Sequence, residues 1–278
     1  MSVAPDTGLA PERLIAEARR AAATPAVAKR AIGLLDLTSL NDDDTPETIA
    51  RLCERAQSPA GPVAAVCVWP RFVSQARGAL RGVRVATVVN FPHGDAEPDR
   101  VHAACGAALA AGADEIDVVM PYRAYLAGEH AAALEVLEVI VGASAGQAKV
   151  KAILETGALQ DPAIILRASR DAIAAGVDFL KTSTGKIGVS ATLEACIPML
   201  QAIRDHARHA GDGGHEIGLK PSGGIRTTAD AASYLALADA VMGAGWATPA
   251  TFRFGASGLL EALLGALGNH DGQRAGLA

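Results

Sequence analysis

The stretch DFLKTSTGK, Asp178 to Lys186, carries a lysine where an apolar, strand-like run ends, followed by three hydroxyls and a glycine. A lysine drawn out of water loses its proton more easily, and a neutral amine is a nucleophile. A second lysine, Lys220, ends another apolar run and is followed by PSGGIRT. Asp117 lies in EIDVV, where residues two apart share a face, so Glu115 and Asp117 point one way and Ile116 and Val118 the other. By the same alternation Lys149, Lys151 and Glu155 share a face in KVKAILE. Polar groups on an inward face are costly unless paired or functional. Lys151 and Asp117 can then meet inside a barrel. The pattern alone does not choose between Lys181 and Lys220 as the nucleophile.

The chain uses lysine sparingly, with six lysines against nineteen arginines. Five of the six (Lys149, Lys151, Lys181, Lys186 and Lys220) fall in or just after predicted strands; only Lys29 does not. Arginine stays protonated and cannot replace an amine nucleophile, so this distribution points the same way.

Strands are predicted near 32–37, 63–68, 84–89, 114–119, 149–154, 177–181, 216–220 and 251–255. Helices are predicted near 45–57, 71–80, 97–111, 123–142, 161–175, 191–210, 227–237 and 257–267, with a further helical pattern over 11–23. The segment 238–250 reads either as a continuation of its helix or as a short strand. Eight βα units at about 30-residue spacing in 278 residues fit one (β/α)8 TIM barrel of the α/β class. No GxGxxG follows the first strand, which disfavours a dinucleotide-binding open sheet. We expect an N-terminal extension over 1–30, partly helical and disordered over its first ten residues, a barrel over 31–267 and a flexible tail over 268–278.

A barrel places its chemistry at strand exits. Those exits hold Asp36 and Thr38, Cys67, Asp117, Lys151, Lys181 and Lys220. PSGGIRT and GASG are glycine-rich, and a helix starting near Ser257 adds a dipole; together they suit a phosphate. The net charge of −5 without a basic block argues against nucleic acid and anionic membranes as partners. No apolar run is long enough to span a membrane, and no signal core precedes the first acidic residues. Cys53, Cys67, Cys105 and Cys196 lack metal or redox spacing and read as reduced, packed thiols of a cytoplasmic protein. The histidines form no metal-binding pattern; His206 and His209 lie one turn apart on a polar helix face.

The motifs LDLTSLNDDDT (35–45), VCVWPRF (66–72), NFPHG (90–94), GADEIDVVMPYRAYLAG (112–128), ILETG (153–157), FLKTSTGK (179–186), LKPSGGIRT (219–227) and GASGLL (255–260) occur in this order. Together they resemble the deoxyribose-phosphate aldolase family. The resemblance implies a class I aldolase without metal or other cofactor, cleaving 2-deoxy-D-ribose 5-phosphate to D-glyceraldehyde 3-phosphate and acetaldehyde. It implies Lys181 as Schiff-base nucleophile and Asp117 as proton donor and acceptor. Lys220 becomes the second active-site lysine, which tunes the first, and Lys151 supports Asp117. Asp36, Thr38 and Cys67 match substrate-pocket positions. Thr184, Lys186, Gly223, Gly224 and Ser257 match the side that holds phosphate and hydroxyls. The family is frequently homodimeric. Two departures stand out: the tail GNHDGQRAGLA lacks the terminal tyrosine of some members, and Gly258 stands where a second serine is common. A non-catalytic phosphosugar-binding barrel, or another class I aldolase on the same fold, is the alternative.

Overall fold

The computed structural model describes residues 10–211 and 214–275. Eight strands form one parallel sheet: β1 (Leu35–Ser39), β2 (Ala65–Val68), β3 (Arg84–Val89), β4 (Glu115–Val119), β5 (Lys149–Ile153), β6 (Phe179–Lys181), β7 (Gly218–Lys220) and β8 (Phe254–Ala256). Seven neighbouring pairs, running from β8 through β1 to β7, have continuous parallel ladders. The last seam, β7 to β8, is closed by isolated bridges at Leu219–Phe252 and Ser222–Gly255. Backbone bonds from Leu219 N–H to Thr251 O (2.8 Å) and from Arg253 N–H to Leu219 O (3.0 Å) complete it. The result is the expected (β/α)8 barrel.

The helices are α1 (Pro11–Ala18), α2 (Pro25–Ile32), α3 (Pro46–Arg55), α4 (Val73–Ala79), α5 (Pro98–Ala110), α6 (Tyr122–Leu126), α7 (His130–Ser144), α8 (Thr156–Leu159), α9 (Pro162–Ala174), α10 (Leu193–Ala210), α11 (Thr228–Met242) and α12 (Leu259–Ala275). Several are started by side-chain caps that satisfy free N–H groups. Thr45 and Thr48 form a reciprocal pair at α3, as do Thr227 and Asp230 at α11. Thr192 accepts from Ala195 N–H at α10.

Several expectations change, and one open reading is settled. The N-terminal helix stops at Ala18, and a second helix, α2, follows, capped by Thr24 with Pro25 in its first turn. Ile32 therefore ends a helix, and the first strand begins at Leu35; a short apolar run such as IGLLDL serves either role until its neighbours are known. The predicted helix over 123–142 is two helices, parted near Gly128 at φ 88°. The segment 238–250 continues α11 as far as Met242, and no strand forms there. Helix α12 runs on to Ala275, into the segment expected as a tail; residues 1–9 and 276–278 lie outside the described residues.

Alternation divides the strands into two faces. Ile116, Val118, Val150, Ala152, Leu180 and Leu219 belong to the large buried cluster between barrel and helices. A small separate cluster of Leu40, Cys67, Ala86 and Val88, with Trp69 and Phe91 against it, is the inner apolar patch. In place of a wholly aliphatic interior, the barrel buries Asp36, Glu115, Asp117, Lys151, Lys181, Lys220 and Arg253. Phe179, two residues before Lys181 and on the same strand face, fills space that only glycine leaves free. A Cβ at Gly218 would lie 2.2 Å from its ring. Gly218→Ala should destabilise the fold by about 2 kcal/mol through overpacking, read from urea unfolding. An unchanged midpoint would show that Phe179 is not fixed by this contact.

Candidate active site

The strand ladders set the site. Asp117 on β4 is in register with Lys151 on β5, and Lys181 on β6 with Lys220 on β7. All four side chains point into the barrel, and they converge on one carboxylate. Asp117 Oδ1 accepts from Lys151 Nζ at 2.7 Å. Asp117 Oδ2 accepts from Lys181 Nζ at 2.8 Å and from Lys220 Nζ at 2.7 Å. Lys149, on the same face as Lys151, stays at the strand's entry, one-third exposed and paired with Asp178 at 3.1 Å.

Below this centre lies a second tier. Lys220 Nζ is 2.5 Å from Asp36 Oδ2, and Lys151 Nζ is 2.6 Å from Glu115 Oε2. Arg253 joins the two acids, with Nη1 at 2.6 Å from Asp36 and Nη2 at 2.8 Å from Glu115. The sequence reading gave Arg253 no role, and it noted Glu115 only as an inward carboxylate. The available signal was an arginine inside the strand-like run TFRFG, where an aliphatic residue is the ordinary choice.

The lysines differ in what surrounds them. Burial pushes the Lys181 amine down; Asp117 opposes this, and the positive charge of Lys220 pushes it down further, with a lowered net value. Burial also pushes Lys220 down, but Asp117 and Asp36 together outweigh it and raise its pKa. Lys151 likewise ends up raised, because Asp117 and Glu115 override burial. Asp117 itself is held well below the usual carboxylate range: burial works against it, but three lysines prevail. Lys181 alone of the three keeps any accessible side-chain surface, 3% against none for Lys151 and Lys220.

A cavity of about 520 Å³ opens beside these strand ends, a size that suits a small ligand. Thr38, Thr184, Lys186, Gly223, Gly224 and Ser257 line it. Asp36 and Cys67 do not: both are fully buried among the barrel's charges, and burial pushes the Cys67 thiol up, so it is protonated and unreactive. Arg226, two residues after Gly224, also borders the cavity and was not singled out from sequence. At Gly223, φ is 84° and a Cβ would lie 2.6 Å from Ser190 Oγ, so only glycine brings the backbone this close. The loop after Lys181 is fastened by Glu155, a left-handed residue at φ 56°. Its buried carboxylate accepts from the Thr184 hydroxyl at 2.5 Å and from the Thr184 N–H at 3.3 Å. Lys186 Nζ then donates to Leu40 O at 2.8 Å across the cavity rim. Trp69 packs edge-on against Phe91 and donates to Asn41 O. Among the described residues no cluster of His, Cys, Asp and Glu has metal-binding geometry, and no helix is long and apolar enough to cross a membrane.

Converging amines and an acid at the exits of a parallel barrel define a class of carbonyl-handling barrel enzymes. The DeoC/LacD family aldolase model matches residues 30–264, and the chain belongs to that family of aldolases. A deoxyribose-phosphate aldolase of Agrobacterium fabrum (strain C58) is 51% identical over 247 residues, covering 88% of this chain and 93% of its own length. A crystal structure assigned as a deoxyribose-phosphate aldolase of Toxoplasma gondii ME49 superposes with a TM-score of 0.81 at 25% identity, covering 88% of this chain and 95% of that one. A counterpart from Coccidioides immitis, with the same assignment, gives 0.74 at 27% identity over 93% and 98%.

The depressed carboxylates fix the acid limb of stability. Asp36 and Asp117 titrate below their unfolded values in the fold. The stability they contribute is therefore complete above the unfolded value of about 4 and is lost as pH falls through the folded values. Urea unfolding at decreasing pH should show a steep loss below about pH 4. Asp36→Asn, which has no proton to gain, should be less stable at neutral pH but have a shallower acid slope. Parallel slopes would show that Asp36 is not held ionised by Lys220 and Arg253.

Proposed function

We propose that this aldolase reversibly cleaves 2-deoxy-D-ribose 5-phosphate to D-glyceraldehyde 3-phosphate and acetaldehyde through an imine on Lys181. The observation that carries the reading is the contrast between the two lysines. Lys220 is clamped between two carboxylates, whereas Lys181 holds one, keeps the only trace of exposed side-chain surface and has its amine pushed toward the neutral form. A neutral amine adds to the substrate aldehyde, and with uptake of one proton water is expelled, leaving a cationic imine. The imine takes up the electron pair of the C2–C3 bond as the C3 hydroxyl loses its proton, and the three-carbon aldehyde phosphate departs. Protonation of the resulting enamine at C2 and addition of water release acetaldehyde and restore the amine.

In this reading Asp117 moves these protons. Its carboxylate holds Lys181 and Lys220 on one oxygen, so a proton leaving one amine has an acceptor at hydrogen-bond distance. Lys220 stays charged and disfavours a second charge on Lys181. Lys151 fixes the carboxylate from its other oxygen. On the cavity side, Lys186 and the N–H groups around Gly223 and Gly224 suit the phosphate, with α12, which begins at Leu259 just after Ser257 and Gly258, adding its dipole. Thr38 and Thr184 are placed for hydroxyls. The one-carboxylate grip on Lys181 also speaks against a barrel that only binds phosphosugars, since binding alone has no use for a neutral lysine.

Reduction with borohydride in the presence of acetaldehyde should leave an ethyl group on Lys181, located by peptide mass spectrometry. An adduct on Lys220 alone would overturn the assignment, and none at all would overturn the imine reading. Lys181→Arg should abolish turnover although charge is retained. Lys220→Met should lower activity and move the pH at which Lys181 reacts upward, because a positive neighbour is gone; an unmoved profile would remove its electrostatic role.

A further inference from the structure

The ion pairs inside the barrel form one contiguous set. Its cations are Lys151, Lys181, Lys220 and Arg253; its anions are Asp36, Glu115 and Asp117. Four basic side chains thus face three acids in a space with almost no exposed surface. Uncompensated charge is costly there, so the set is best balanced when one base is neutral. Arginine cannot be that base, because it does not give up its proton in proteins. Lys151 and Lys220 each hold at least two carboxylates within 2.7 Å. Lys181 holds one.

We propose that Arg253 is a positioning residue of the aldolase reaction: its guanidinium, locked onto Glu115 and Asp36, is the permanent third cation of the set and leaves Lys181 as the base that need not carry a proton. This rests on the reading of Lys181 as the imine-forming amine. Arg253 is built to stay in place. It is nearly fully buried, its Nε donates to Pro249 O at 2.6 Å, and its guanidinium lies 5.6 Å from the centre of the Phe179 ring. It reaches Lys181 only through others, by way of Asp36 to Lys220 and of Glu115 to Lys151, both of which meet at Asp117.

The other charged or titratable groups nearby do not change the count. Cys67 faces the lysines as a neutral thiol, since burial raises it. Glu155 makes no ion pair with the set, and its carboxylate is met by Thr184. Arg84 approaches Glu115 at 3.6 Å from the barrel's entry, but half its side chain is in water, where its charge is screened.

The test is the pH dependence of imine formation in the full-length protein, with acetaldehyde as the probe and cyanoborohydride as the trap. Arg253→Met removes a fixed cation, so the midpoint of the trapping rate should rise by about one pH unit, the scale of one uncompensated buried charge. Glu115→Gln removes an anion, so the midpoint should fall by a similar amount. The double variant removes one of each and should return to the wild-type midpoint. A merely structural role would lower rates without moving midpoints in opposite directions. Unmoved midpoints, or shifts of the same sign in both single variants, would overturn the proposal. Should circular dichroism show Arg253→Met unfolded, the near-isosteric Glu115→Gln decides alone, and a midpoint that stays or rises overturns it. Failure of the wild type to trap on Lys181 would sink the imine reading and this proposal with it. Trapping on Lys181 with unmoved midpoints would sink only the role of Arg253.

Discussion

The charged interior of this barrel depends on one carboxylate being shared among three amines in a dry space. Asp117 accepts from Lys151, Lys181 and Lys220 at 2.7 to 2.8 Å. Placing an acid there is costly by itself, and placing three lysines there is costlier still. Each becomes tolerable only because the others are present, which couples their proton affinities. The same coupling separates the lysines by charge. Two are pinned as cations by paired acids, and the third is left with a single partner and the only trace of exposed side-chain surface among the three.

Geometry of this kind demands a rigid frame. Parallel ladders fix Asp117 opposite Lys151 and Lys181 opposite Lys220, so the distances among the amines follow from backbone register rather than from side-chain freedom. Phe179 beneath Lys181, admitted by the missing side chain at Gly218, fills the floor. The outer aliphatic face does separate work: it holds the helices on the sheet and takes no part in the polar interior.

Much of this was legible in the sequence because it obeys alternation. An inward face carrying Glu115, Asp117 and Lys151 beside an outward face of Ile116, Val118 and Val150 follows from period two alone. The glycine pair at Gly223 and Gly224 and the lysine in TSTGK were legible for the same reason, since their residue types are costly unless used. What escaped depended on contacts across the barrel. Arg253 meets Glu115 from 138 residues away, and no local pattern announces that pairing. Asp36 and Cys67 sit at strand exits in sequence, yet in space they belong to the interior beneath the cavity. Helix α2 was missed because a short apolar run fits helix and strand equally, and only packing decides between them.

The seam between β7 and β8 adds one more property. Elsewhere the barrel is joined by ladders, but here two isolated bridges and a few backbone bonds carry the closure. The glycine loop PSGGIRT and the turn GASG, which border the cavity, hang from these two strands. Lys220 stands on β7 and Arg253 immediately before β8, at this seam, while Lys181 and Asp117 stand on strands that are laddered on both sides. The seam that borders the cavity therefore also carries two of the cations gathered around Asp36 and Asp117, so the binding wall and the charged interior share one piece of backbone.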